Sequence, residues 1–147
     1  MNLLALKPSE LLPHRAPMLL VDKVIHTDFD KNITVEKTVT EDSVFFQGHF
    51  PGYPLLPGVI MIEMMFQTCG VLNRLVMQQQ GDAASKKGQI GKAVKVKSAT
   101  FFKEVFPDTK LTIKAEKLRS VFRFSEYKAK VYAGDEKVCE AELTVTI

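Results

Sequence analysis

Hydrophobic positions along this chain follow two spacings, set on either side of one continuous apolar run. In the second half, Val94 and Val96 alternate with Lys95 and Lys97. Leu111, Ile113 and Ala115 alternate with Lys110, Thr112, Lys114 and Glu116. A period of two is that of a half-buried strand. The last run is the cleanest: Cys139, Ala141, Leu143, Val145 and Ile147 share one face and Glu140, Glu142, Thr144 and Thr146 the other. Between Val131 and Val138, Gly134-Asp135 stands where a tight hairpin turn wants it. Before the apolar run, Met18 to Thr27 and Asn32 to Thr40 are two more strand candidates, parted by the turn-forming DFDKN.

The apolar run itself, Pro57 to Met77, predicts one long helix. Pro57 suits its first turn, where a missing N–H goes unnoticed. Gly81 is a plausible C-terminal cap, and QQQGDAASKKGQ reads as the helix end and a mobile connection. The order is strand, strand, helix, then four strands. A helix apolar on nearly all sides needs cover on nearly all sides, which one antiparallel sheet curled around it supplies. The expected class is α+β, a single domain over 1–147. Such a sheet still leaves an edge strand bare, and a symmetric dimer joining two sheets is the expected remedy.

Composition narrows the function. The chain has 147 residues, enough for one core without staples. Its 20 basic and 17 acidic residues leave a charge of +3, too weak to argue for nucleic acid. Cys69 and Cys139 are far apart, with no CxxC pair and no metal-ligand spacing. Free thiols in a reducing, cytoplasmic setting are the simpler reading, and no metal or cofactor is expected. The N-terminal stretch is broken by Lys7, Glu10 and two prolines, so no secretion signal is read. Leu55 to Leu72 approaches the length of a membrane span, about 20 apolar residues. It contains Pro57, Gly58, Glu63 and Gln67, which favours a buried helix and no membrane.

Glu63 is the anomaly in that helix. Its neighbours are Ile60, Met61, Ile62, Met64, Met65 and Phe66, with no lysine or arginine one turn away. A carboxyl desolvated in this way holds its proton, as a general acid requires. Gln67, one turn on, lies on the same face and can fix its orientation. His49 sits in FQGHFPGYPLLPG, a loop stiffened by proline that runs straight into the helix N-terminus. That junction offers a constrained base beside free amide donors backed by the helix dipole. A histidine base, a glutamic acid and an oxyanion site together describe chemistry next to a carbonyl, such as loss of water from a 3-hydroxy thioester. His14 and His26 are read as structural or solvated.

The segments LLPHRAPMLLVDKV and FFQGHFPGYPLLPGVIMIEMMFQ strongly resemble the FabZ-type beta-hydroxyacyl-acyl carrier protein dehydratases, hot-dog-fold enzymes of bacterial fatty acid synthesis. The resemblance implies (3R)-hydroxyacyl-acyl carrier protein as substrate and the trans-2-enoyl thioester as product. It implies that His49 is the catalytic histidine and that Glu63 serves the site of the partner subunit. Gly58 then supplies the N–H that meets the thioester carbonyl, Leu55 the carbonyl that orients the histidine, and Gln67 the support for the carboxylate. Glu63 in place of the aspartate of the related dehydratase-isomerases implies dehydration without isomerisation. Two differences stand out: Ala16 where the family often has tyrosine, and Pro107-Asp108-Thr109 where it usually has Pro-Gly-Asp.

Candidates for an apolar acyl tunnel are Phe45, Phe46, Ile62 and Phe66, with Phe101 and Phe102 as further candidates. An acidic acyl carrier protein calls for a basic rim, for which Lys92, Lys95, Lys97 and Lys103 are the candidates. A homodimer or higher oligomer of dimers is expected. The competing readings are a hot-dog thioesterase or acyl-CoA hydratase, and a non-catalytic subunit that completes a heterodimer.

Overall fold

The computed structural model describes residues 2–81 and 91–146. In chain order it contains α1 (Pro8–Leu11), β1 (Lys23–Thr27), β2 (Asn32–Val39), α2 (Gly58–Gln79), β3 (Lys92–Phe101), β4 (Thr109–Val121), β5 (Phe124–Ala133) and β6 (Glu136–Thr146). Short 3-10 turns lie at Leu3–Ala5 and Val44–Phe46. All six strands form one antiparallel sheet in the order β1-β2-β4-β5-β6-β3. The sheet curls around α2, so the α+β arrangement read from the hydrophobic spacing, and the hot-dog fold the resemblance implied, are the observed ones.

Helix α2 meets the sheet through Met61, Met64, Met65, Thr68, Leu72 and Leu75, the three-and-four spacing of one helical face. The strands answer with alternate residues: Ile33 and Val35, Leu111, Ile113 and Ala115, Tyr127, Ala129 and Val131, then Cys139, Ala141 and Leu143. Each large side chain buried this way contributes about 1.5–3 kcal/mol. Helix α2 is long and apolar enough to cross a membrane by length and composition, yet half of that window is buried inside this fold. Its apolar character is that of a core helix.

Turn chemistry agrees with the sequence. Asp28 closes the β1–β2 loop. The Asn32 side-chain amide and the backbone N–H groups of Asn32, Asp30 and Lys31 hold its carboxyl well below the usual carboxylate range. Gly134 and Asp135 form the two-residue β5–β6 turn, with Gly134 at φ 61°. Asp108, where glycine was the expected residue type, adopts φ 64°. Aspartate tolerates that conformation better than most residues.

Three local expectations change, and a fourth is met as far as the described residues go. The first strand begins at Lys23 and not Met18, because Met18 O and Leu20 N are bonded to the Gln67 side chain in place of a neighbouring strand. Pro57 is the N-cap of α2, with Gly58 as the first helical residue. Strand β3 is exposed on both faces, with Val94 and Val96 49% and 43% exposed, and it is an edge strand paired only with β6. Gly81, at φ 79°, follows the last turn as expected, but the connection beyond it, residues 82–90, lies outside the described residues.

Both cysteines are free and buried. Burial pushes the Cys139 thiol up to about 11 and that of Cys69 higher still. At pH 8 a thiol at about 11 is thiolate on the order of one part in a thousand, and thiolate is the reactive form. A disulfide-exchange reagent at pH 8 should therefore leave both thiols unmodified in the native protein and titrate both in guanidinium. Rapid native labelling of either would contradict this packing.

Candidate active site

The loop leading into α2 fixes His49 by two hydrogen bonds. Leu55 N donates to His49 O at 2.8 Å, and the imidazole Nδ1 lies 2.9 Å from Leu55 O. A carbonyl can only accept, so Nδ1 carries the proton and Nε2 is left with its lone pair. The half-buried ring stacks on Phe50 at 4.3 Å between centroids, which limits its rotation. A histidine held in this tautomer is a base at Nε2. Leu55 O is thus the group that His49 Nδ1 faces.

Gly58 opens α2, so its N–H has no carbonyl one turn back to receive it. A Cβ at this position would come within 2.7 Å of the Phe101 ring, which packs against the helix start. Leu55, Gly58, Val59, Phe101 and Phe102 line part of a shallow groove of about 410 Å³ here.

Glu63 is only partly desolvated. Its side chain is 29% exposed, and it faces a second cavity of about 140 Å³ that also touches His14, Phe66, Gln67, Arg74, Met77 and Lys92. The expectation of a fully buried carboxyl is corrected in this respect. The helix is apolar around Glu63, but the sheet covers the opposite face, and the side toward Glu63 carries polar groups.

Gln67 is 2% exposed and uses both ends of its amide. Its Oε1 accepts from Leu20 N at 2.8 Å, and its Nε2 donates to Met18 O at 2.7 Å and to Glu63 Oε2 at 2.8 Å. The i,i+4 support expected for Glu63 is present. His14 is the residue that sequence reasoning passed over: its Nε2 lies 3.4 Å from the same Glu63 oxygen. Its place in the PHR segment was visible, but nothing in linear spacing showed that the loop folds back across the helix. His26 is exposed on β1, as read.

Among the described residues no hydrogen bond or ion pair joins His49 to Glu63 within the chain, and neither cavity is lined by both. Of the tunnel candidates, Phe66 lines the Glu63 cavity, Phe46 lies in the core, and Phe45 and Ile62 are half-buried against it. Of the basic candidates, Lys92 borders the Glu63 cavity and Lys95 is exposed on β3. Lys97 and Lys103 are exposed and pair with Glu142 and Glu136. Among the described residues no three His, Cys, Asp or Glu side chains cluster as metal ligands would.

A curled antiparallel sheet around one core helix defines the hot-dog class. Solved structures agree: the dehydratase heterocomplex ApeI:P from Xenorhabdus doucetiae superposes with a TM-score of 0.83 at 23% identity, covering 96% of this chain and 90% of that one. A hypothetical thioesterase with coenzyme A from Streptococcus pneumoniae shares the fold at 0.62 and 18% identity, over 84% and 83% of the two chains. Residues 12–142 match the FabA-like domain, and the chain belongs to that family. Within it, the FabZ 3-hydroxyacyl-[acyl-carrier-protein] dehydratase of Listeria welshimeri is 39% identical, covering 93% of this chain and 90% of its own length. Those of Clostridioides difficile and a Janthinobacterium species are 38% and 40% identical, over 91% and 94% of this chain and 89% and 86% of theirs.

Replacing Gln67 with leucine removes three hydrogen bonds and leaves Leu20 N and Met18 O without their partner. A buried group left unpaired costs about 1–3 kcal/mol, so Gln67→Leu should lower stability in urea unfolding by about 2–4 kcal/mol. A change below about 0.5 kcal/mol, the range of an ordinary surface substitution, would show that the clamp is dispensable.

Proposed function

We propose that this chain dehydrates a (3R)-hydroxyacyl group carried on acyl carrier protein to the trans-2-enoyl thioester, in the cytoplasm, during acyl-chain elongation. The observation that carries the proposal is the His49 loop. Its Nδ1 is committed to Leu55 O, its Nε2 is free, and the same loop delivers the first N–H of α2. A base beside oxyanion donors suits proton removal at a carbon next to a carbonyl. A thioesterase needs no such base beside C2, so the loop favours elimination over hydrolysis.

In this mechanism the thioester oxygen lies at the Gly58 N–H, where the helix dipole stabilises the negative charge that develops on it. His49 Nε2 takes the C2 proton. The C3–O bond then breaks, the departing hydroxyl takes a proton from Glu63, the C2=C3 bond forms, and water leaves. No cofactor enters these steps. The proton on the acid and the lone pair on the base are both supplied by the protein.

The acid belongs to a second copy of the chain. Support comes from the lack of any bond between His49 and Glu63 within one chain, and from the exposed edge strand β3 with its uncovered valines. Two β3 edges paired around a two-fold axis would remove the bare edge and cover Val94 and Val96. Each site would then combine His49 of one subunit with Glu63 of the partner subunit. Lys92 and Lys95, both exposed on β3, support a role for this strand in attracting the acidic carrier protein.

The purified protein should interconvert 3-hydroxyacyl and trans-2-enoyl thioesters, and His49→Ala or Glu63→Gln should each lower the rate by about 10²-fold or more. Full activity in both variants would sink the mechanism, and so would an inert wild-type chain. Mixing the two inactive variants under exchange tests the shared site. Random pairing makes half the dimers mixed, each with one intact site, so about a quarter of the wild-type rate should return. No recovery despite demonstrated exchange, or a fully active monomer in solution, would place both residues in one chain.

A further inference from the structure

We infer that His14 is a positioning residue for Glu63, holding one carboxyl oxygen together with Gln67 so that the other oxygen delivers the proton to the substrate hydroxyl. This rests on the dehydratase reading above and extends it to a residue outside the His49–Glu63 pair.

The segment carrying His14 is tethered on both sides. Leu11 and Leu12 are buried in the core, and Leu12 Cδ2 lies 3.2 Å from the place a Cβ would take at residue 70. The segment can lie this close to α2 because residue 70 is glycine. Pro13 restricts the backbone just before the histidine. Arg15 folds back, its Nη1 donating to Leu12 O at 3.0 Å and His14 O at 2.6 Å. Downstream, Met18 and Leu20 are tied to Gln67. The imidazole therefore hangs from a backbone anchored before and after it.

Its two nitrogens have unlike surroundings. Nε2 is 3.4 Å from Glu63 Oε2, while Nδ1 is buried with no hydrogen-bond partner. A proton on Nδ1 would be a buried donor with no acceptor; a proton on Nε2 faces a carboxyl. The geometry therefore selects the Nε2–H tautomer. Gln67 Nε2 donates to that same Oε2, and among the described residues no hydrogen bond reaches Glu63 Oε1.

One donated hydrogen bond from Gln67 and an imidazole N–H facing the same oxygen at 3.4 Å have two effects. They reserve Oε1 as the oxygen that bears the acidic proton, because a hydroxyl on Oε2 would point at two N–H groups. They also meet the negative charge left on the carboxyl once the proton has gone, when such contacts are strongest. Gln67 alone supplies one donor; His14 closes the other side and stops the carboxyl from turning Oε1 away from the cavity. Arg74 and Lys92 line the same cavity from α2 and β3 and add positive charge to it.

The test is steady-state kinetics on one 3-hydroxyacyl thioester for the wild type, His14→Ala, His14→Phe, His14→Gln, Glu63→Gln and the double variant His14→Ala/Glu63→Gln. Loss of a group that orients a reacting side chain typically lowers activity about 10- to 100-fold, here in kcat with KM held within about twofold. His14→Gln, which restores an N–H donor, should recover most of the rate. In the Glu63→Gln background, removing His14 should cost nothing more, because there is no acid left to position. Full kcat in His14→Ala, a loss confined to KM, or an additive double variant would overturn the inference. If His14→Ala does not fold by circular dichroism, His14→Phe keeps the ring without its nitrogens and must show the same kcat loss. An active wild type with an inactive Glu63→Gln and a fully active His14→Ala or His14→Phe refutes only the role of His14. A wild type that dehydrates nothing refutes the function itself, and this inference with it.

Discussion

Helix α2 has too little polar surface to stand in water, and the rest of the chain is arranged around that shortage. The sheet covers the face that carries Met61, Met64, Leu72 and Leu75. The N-terminal segment covers part of another, through Leu11, Leu12 and Leu20. Where the two coverings fail to meet, the helix presents Glu63, Phe66, Gln67, Gly70 and Arg74 to a cavity. The candidate acid thus lies in the gap between two layers, a place a fold of this kind creates of necessity. Gln67 holds the gap at a defined width, since one amide is bonded to the helix carboxylate and to two backbone groups of the covering segment.

Much of this was legible in linear order because the information was periodic. Alternation in β4 and β6 reports which side of each strand faces the helix, and that is a local property. The β5–β6 turn was legible because Gly134 supplies a positive φ that few residues accept. Glu63 and Gln67 were legible as a pair because four residues of helix bring them together whatever the fold. The constraint on His49 was legible from its loop, since proline and the helix start act locally.

What escaped the sequence was everything that depends on two segments meeting. Reading Met18 to Thr27 as one strand assumed that its backbone groups pair with a strand, and Gln67 intercepts two of them. His14 looked like an ordinary loop histidine because its partner lies 49 residues away in the chain, across a crossing that no period encodes. Full burial of Glu63 was inferred from neighbours in sequence, and of these Met61, Met64 and Met65 are buried in the core while Phe66 lines the open cavity beside it. Strand β3 has the alternation of a covered strand but occupies an edge, and edge position is a property of the whole sheet.

The pair of hydrogen bonds between His49 and Leu55 has a further consequence. They close a ring of backbone whose circumference is counted in residues, five of them between the two anchors. Side chains along that ring, such as Tyr53 with its hydroxyl bonded to Glu104, can be exchanged without altering the count. One residue added or removed would release both ends at once. The imidazole would then be free to rotate and to carry its proton on either nitrogen. In this loop length is itself a functional quantity, and it guards the choice of tautomer more strictly than the identity of most of the residues it contains.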